Sequence, residues 1–113
     1  MAVNFFNRLI VSGPLAHVQD FQTRAERTYE RTVGGETWTE HLPFSFTALQ
    51  EIAPIFPEDE LFDPYEIAEW PIKPVSPRRA EVRYQFESRN VELSPAVELL
   101  SRKLPRLTFR LMT

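Results

Sequence analysis

The C-terminal third of the chain constrains the fold most strongly, because the spacing of its apolar residues changes twice. Over residues 80–88, apolar side chains alternate with charged or polar ones, which indicates a half-buried strand. Residues 94–103 place apolar side chains at helical spacing behind Ser94-Pro95, a favourable helix start. The alternation returns over residues 106–112. This third therefore predicts a strand, a helix and a strand.

The first third of the chain follows a similar plan. Residues 5–12 predict a strand that is largely apolar on both faces. Gly13-Pro14 then turns the chain, and an apolar stripe at steps of three and four predicts a helix that runs to about Thr32. Gly34-Gly35 is interpreted as the end of that helix.

Together with a strand over residues 37–42, these elements predict one α+β domain over residues 1–113. The expected fold is a ferredoxin-like two-layer sandwich, βαββαβ, with one antiparallel sheet of order 4-1-3-2 and both helices on one face. Such folds carry many unrelated functions, so the fold alone specifies none. The expected core consists of Leu9, Val11, Val18, Phe21, Tyr84, Phe86, Val97, Leu100 and Phe109.

An acidic, proline-rich insertion at about residues 45–79 interrupts this plan. Six of the ten prolines lie between residues 54 and 77. Because each proline removes a backbone donor and fixes φ, we expect a long, stiff loop before the third strand. Within it, residues 47–52 are a helix candidate, and residues 65–70 are either a short helix or an extended edge segment.

The composition of the chain excludes several classes of functional site. The chain contains no cysteine, which excludes disulfides, thiolate metal sites and cysteine nucleophiles. No apolar run approaches the ~18 residues that cross a bilayer, and no signal-peptide pattern opens the chain. We therefore expect a cytoplasmic protein without a membrane partner.

Several motifs are similar to those of the YubB-like proteins, a bacterial family common on plasmids and prophages. They are Asn7-x-Leu9-x-Val11-x-Gly13, Trp70-x-x-Lys73, Val82-x-Tyr84-x-Phe86-x-Ser88, Ser94-Pro95 and Leu100-Ser101-Arg102-Lys103-Leu104-Pro105-x-Leu107-x-Phe109. The resemblance covers about half of the chain. It implies a ferredoxin-like domain and no established activity.

The residues give little support to an enzyme. His41 beside Glu40, with Trp38 nearby, is the one candidate base and orienting group for a small-molecule enzyme, but no nucleophile stands at a recognisable spacing. The acidic residues between 58 and 69 lack the glycine and terminal glutamate of an EF-hand, and only three glycines are present. We expect no catalytic residue, metal or cofactor.

The leading hypothesis is a protein-interaction or self-association module. In the predicted sheet, Phe6 and Ile10 form an apolar centre on the face away from the helices, and Arg8, Arg83 and Arg110 surround it. This arrangement resembles the anatomy of a small protein interface. Trp70 is either an additional interface anchor or a core residue. The expected partner is a second copy or another protein.

Nucleic-acid binding on the same face is the alternative. Residues 73–113 carry nine basic and four acidic residues, whereas residues 36–72 carry nine acidic residues and no Lys or Arg. If the acidic segment 58–69 covers the arginines, it acts as an internal phosphate mimic and nothing anionic binds. If it does not, the face offers a positive field with one aromatic side chain, fewer than single-strand binders usually have.

Overall fold

The computed structural model describes residues 4–46, 48–49, 52, 65–89 and 93–113. In these residues the chain forms two helices and six strands. In order they are β1 (Asn4–Gly13), α1 (Leu15–Ala25), β2 (Arg27–Val33), β3 (Glu36–Leu42), β4 (Tyr65–Ser76), β5 (Arg79–Arg89), α2 (Ser94–Lys103) and β6 (Thr108–Met112).

Two separate sheets are formed. Four strands make an antiparallel sheet in the order β4-β5-β1-β6, and β2 pairs only with β3 in an antiparallel hairpin. The buried side chains of α1 and α2 join those of β1 and β5 in a single apolar cluster. The four-stranded sheet is therefore covered on one face by both helices.

The predicted core is confirmed. Eight of its nine residues are buried, and Phe109 is partly buried against the same cluster. The core also contains Phe44, which the sequence did not single out. Its ring stacks on Phe86 with centroids 5.2 Å apart and lies 5.1 Å from the ring of Tyr84. Phe44 thus ties the end of the hairpin to the sheet.

The predicted βαββαβ ferredoxin-like fold is wrong. The described residues form six strands in two sheets, and the second strand of the prediction, residues 37–42, does not join the main sheet. That segment pairs with residues 27–33 instead. The predicted order 4-1-3-2 placed residues 37–42 at the sheet edge beside β5. In the structure, β4 occupies that edge.

The predicted first helix is too long by about seven residues. It ends at Ala25, and residues 27–33 form β2. Gly34 and Gly35 have φ of 62° and 82° and are the two-residue loop between Val33 and Glu36. Two consecutive residues with positive φ match the right-handed twist of paired strands, so Gly34-Gly35 closes a hairpin rather than ending a helix.

Part of the predicted loop is a strand. Of the two alternatives for residues 65–70, the extended edge segment is confirmed, since β4 lies at the edge of the sheet. An edge strand tolerates Pro71 and Pro74 because its outward N–H groups need no partner. The register is irregular between Trp70 and Lys73 and between Pro74 and Ser76.

The other predictions for the insertion concern residues that the structure describes only in part. Leu49 N–H donates to the carbonyl of Phe46 at 3.1 Å, and Ile52 N–H donates to that of Leu49 at 3.0 Å, so turns occur in the helix candidate 47–52. Most of the acidic run, residues 58–64, lies outside the described residues. In the part that is described, neither helix has the length and apolar character needed to span a membrane.

Candidate functional site

One face of the four-stranded sheet is turned away from the helices, and we call it the open face. Ile10 pairs with Arg83 on one side and with Arg110 on the other, and Arg83 pairs with Trp70. Directly paired residues of an antiparallel sheet point to the same side. A row of four side chains, Trp70, Arg83, Ile10 and Arg110, therefore crosses the open face from edge to edge.

A second row lies next to the first. Arg8 pairs with Gln85 and with Met112, and Phe6 pairs with Glu87 beyond them. Phe6 is 68% exposed and Met112 is 37% exposed. A shallow cavity of about 190 Å³ lies between Phe6, Arg8, Gln85 and Met112. The open face thus combines exposed apolar side chains with arginines.

Trp70 belongs to the open face and not to the core. Its side chain is 46% exposed, and its strand partner is Arg83. All six residues predicted for interaction (Phe6, Arg8, Ile10, Arg83, Arg110 and Trp70) therefore lie on one surface.

Charge on the open face is only partly neutralised. Arg83 Nη2 lies 2.8 Å and Lys73 Nζ lies 3.2 Å from Glu81 Oε1. Partial burial acts to raise the pKa of Glu81, but the two cations outweigh it and lower the pKa below its ordinary value. Among the described residues, Arg8 and Arg110 make no ion pair. These two arginines are positive charges that remain available to a partner.

The base and the orienting group of the enzyme hypothesis, His41 and Glu40, are not brought together. Glu40 and His41 pair with Tyr29 and Thr28, so their side chains leave opposite faces of the hairpin. Trp38 Nε1 donates to Glu40 Oε1 at 2.7 Å, whereas His41 Nε2 lies 3.6 Å from Glu26 Oε2. Glu40 therefore does not orient His41.

Sequence reasoning missed a polar pair on the helix side of the sheet. Glu69 of β4 lies opposite Tyr84 of β5, whose side chain is fully buried. Glu69 Oε2 and the Tyr84 hydroxyl are buried, and neither has a partner at normal hydrogen-bond geometry among the residues described. The one available signal was Tyr84 itself, because a buried tyrosine hydroxyl usually needs a partner.

The environment of this pair favours its neutral forms. Burial raises the pKa of Glu69, and the charge of Glu26 adds to this; Gln22, Tyr84 and His41 oppose it. Burial first, and then the carboxylate of Glu69, raise the pKa of Tyr84. Since Glu69 faces Tyr84, it does not lie over the arginines of the open face. It therefore cannot take part in the phosphate mimic that segment 58–69 would form if it covered those arginines.

Neither a metal centre nor a known relative adds to this description of the site. No group of three or more metal-ligating side chains occurs among the residues that the structure describes. No protein-family model, curated protein or solved structure shows a significant match to this chain.

The motif that opens the YubB-like resemblance has a structural role here. Asn7, Leu9, Val11 and Gly13 are all buried on the helix side of β1. Asn7 Nδ2 donates to the hydroxyl of Ser88 at 3.0 Å, and its Oδ1 accepts from Thr113 at 3.1 Å. The motif thus supports packing on the helix side of the sheet.

Proposed function

We propose that the chain is a non-enzymatic interaction module that self-associates through its open face. The observation that carries this proposal is the row Trp70, Arg83, Ile10 and Arg110, with Phe6 exposed beside it. Apolar side chains grouped on one exposed sheet face are typical of a protein-binding surface. An apolar centre with arginines around it also has the composition of interface cores.

A second copy of the chain is the partner that the charges favour. Arg8, Arg110 and Glu87 share the open face, and none of them makes an ion pair among the described residues. Two-fold packing brings the same patch of both copies together, so Glu87 of one copy becomes available to the arginines of the other. The open face is therefore complementary to itself.

The test is the molar mass in solution, measured by light scattering across a concentration series. We expect the wild-type mass to rise with concentration and Phe6→Glu to remain a monomer, because a carboxylate in the apolar centre would be desolvated. Val33→Glu is the matched control, since Val33 is 54% exposed and lies on the hairpin. A wild-type monomer at high micromolar concentration, or equal behaviour of both variants, would contradict the proposal.

Single-stranded nucleic acid is the competing partner. The exposed position of Trp70 supports it, because the sequence predicted one aromatic side chain on this face. With Phe6, Trp70 provides a second exposed ring beside Arg8 and Arg110. Arg83, however, is already paired with Glu81. Anisotropy of a labelled mixed single strand at ~50 mM and ~200 mM salt tests this reading. We expect no binding at either salt; tight, salt-sensitive binding would replace self-association as the function.

We also propose a cellular setting, that of a small bacterial protein in the cytoplasm. The resemblance to YubB-like proteins supports a small bacterial protein of plasmid or prophage type. The absence of cysteine from all 113 residues supports a reducing compartment such as the cytoplasm. Expression in a bacterial host followed by fractionation tests the second point, with recovery in the cytoplasmic fraction expected.

A further inference from the structure

A second surface feature lies on the helix side of the molecule. A cavity of about 220 Å³ opens between α1 and the segment that connects α2 to β6. Phe21 and Leu107, both buried core residues, form its apolar floor, and Leu104 and Pro105 also line it. We call it the basic cavity, for the side chains at its rim.

The rim carries an excess of positive charge. It contains the cations of Arg24, Lys103 and Arg106 beside the ring of His17, against the single carboxylate of Asp20. Asp20 Oδ2 already lies 3.1 Å from Arg24 Nε. Lys103 and Arg106 make no ion pair within the described part of the chain. Two cations at the mouth of an apolar cavity are thus left for an external anion.

The backbone on this side of the cavity is fixed by tight packing. Leu107 N–H donates to the carbonyl of Leu104 at 3.0 Å, which closes a turn after α2. A Cβ atom at Gly13 would lie 2.8 Å from the carbonyl oxygen of Arg106 and 2.9 Å from Leu107 Cδ2. Only glycine leaves room for this approach. The backbone that carries Arg106 is therefore held in place by close packing against β1.

We infer that the basic cavity binds a small organic anion with an apolar body, of the size of a one-ring carboxylate or phosphate monoester. A cavity of ~150 Å³ accommodates benzene, so 220 Å³ leaves space for a ring with an anionic group at the mouth. Arginine pairs with carboxylate and phosphate in a planar, bidentate manner. The C-terminal end of α2 is partially negative, so the anion lies nearer Arg106 than the helix end.

This site is independent of the proposed self-association. The floor residue Phe21 packs on the core side, with its ring centroid 5.4 Å from that of Phe109. The open face lies on the other side of the sheet. Failure of either proposal therefore leaves the other intact.

The experiment is a titration of the isotope-labelled chain followed by two-dimensional NMR, with phenyl phosphate, benzoate, phenol and inorganic phosphate as probes. We expect phenyl phosphate or benzoate to shift the amide signals of Phe21 and Leu107. Phenol and inorganic phosphate should bind at least ~10-fold more weakly, because phenol lacks the anionic group and inorganic phosphate lacks the apolar ring. Comparison of phenyl phosphate with benzoate decides between phosphate and carboxylate chemistry.

Arg106→Gln should weaken binding of the anionic ring compounds by ~10-fold or more, the effect of losing one charge-assisted hydrogen bond. Arg31→Gln, at an exposed position of the hairpin, is the matched control and should leave binding unchanged. Lys103→Gln, at an exposed helix end, is the second rim variant. Equal loss in the Arg31 control, unchanged affinity in both rim variants, or no shift with any anionic ring compound would overturn the inference.

Discussion

The four-stranded sheet and the β2–β3 hairpin are both antiparallel, yet they obtain their stability from different sources. In the sheet, Leu9, Val11, Tyr84 and Phe86 are buried beneath the helices. In the hairpin, no residue of either strand is buried. Strand pairing alone is marginal in water, so burial stabilises the sheet, whereas the hairpin depends on its turn and its cross-strand pairs.

The hairpin shows these local interactions clearly. On one face, the Arg27 guanidinium lies 4.6 Å from the centroid of the Tyr29 ring. On the other, the hydroxyls of Thr32 and Thr37 lie 2.9 Å apart. Each such contact contributes only a fraction of a kcal/mol to about 1 kcal/mol. We therefore expect substitutions in the sheet to lower the free energy of unfolding of the whole chain, and substitutions in the hairpin to have smaller effects that stay within the hairpin.

The largest effect is expected in the core of the sheet. Phe86→Ala should lower the free energy of unfolding by about 3–5 kcal/mol, because it removes the buried ring that stacks on Phe44. Val33→Ala on the exposed hairpin should stay within ~0.5 kcal/mol of wild type. Urea unfolding measures both. A Phe86→Ala variant as stable as Val33→Ala would show that the core does not dominate stability.

A glycine substitution tests how tightly the sheet is packed at its end. Gly13→Ala should destabilise the chain by about 1–3 kcal/mol, since the new methyl group meets the Arg106 carbonyl and Leu107. The loss should appear in the global unfolding transition. A neutral result would mean that the segment around Arg106 moves easily, which would also weaken the argument for a rigid cavity rim.

The corresponding substitution in the hairpin should act only locally. Gly35 has φ of 82°, and a Cβ atom added there would meet no other atom within 4 Å. Gly35→Ala therefore costs backbone strain of about 1–2 kcal/mol and causes no steric clash with neighbouring residues. We expect faster amide hydrogen exchange in β2 and β3 and unchanged exchange in β1 and β5. Faster exchange in all four strands would show that the hairpin and the sheet unfold together.

The same contrast explains which elements could be predicted from the sequence. β5, α2 and β6 have clear apolar periods because each is covered on one face, β1 is a largely apolar run in the centre of the sheet, and all four were predicted. The hairpin has no buried face and so leaves no such pattern. Tyr29 continued the helical spacing of α1, and Gly34-Gly35 fitted a helix end as well as a hairpin turn.

The candidate site could also be predicted only in part from the sequence. Phe6, Arg8, Ile10 and Arg83 could be placed on one face from strand alternation alone. The side occupied by Trp70 could not, because the register of β4 shifts on both sides of the segment from Ala68 to Trp70. A one-residue shift reverses the facing of every later side chain. The pairing of Glu69 with Tyr84 was hidden for the same reason.

Glu69 lies between the sheet and the hairpin, since it faces Tyr84 in the sheet and is influenced by Glu26 and His41 near the base of the hairpin. Its pKa is raised in the folded state, chiefly by burial, so folding favours the protonated carboxyl. Stability from this group is therefore complete below the unfolded pKa and is lost as pH rises through the folded pKa.

Glu69→Gln removes the charge and should stabilise the chain at pH 7. We expect it to change the free energy of unfolding less than Phe86→Ala, Gly13→Ala or Gly35→Ala, because the carboxylate keeps some solvent contact. Its advantage over wild type should shrink as the pH falls through the raised pKa of the folded state, and should vanish below about 4.5, the ordinary value for this carboxyl, where Glu69 is protonated in both states. Urea unfolding of both proteins from pH 4 to pH 7 measures the difference. Glu66→Gln, at an exposed position of the same strand, is the control and should show no such pH dependence. Lower stability of Glu69→Gln at pH 7 would mean that the Glu69 carboxylate is stabilised by its neighbours despite its burial.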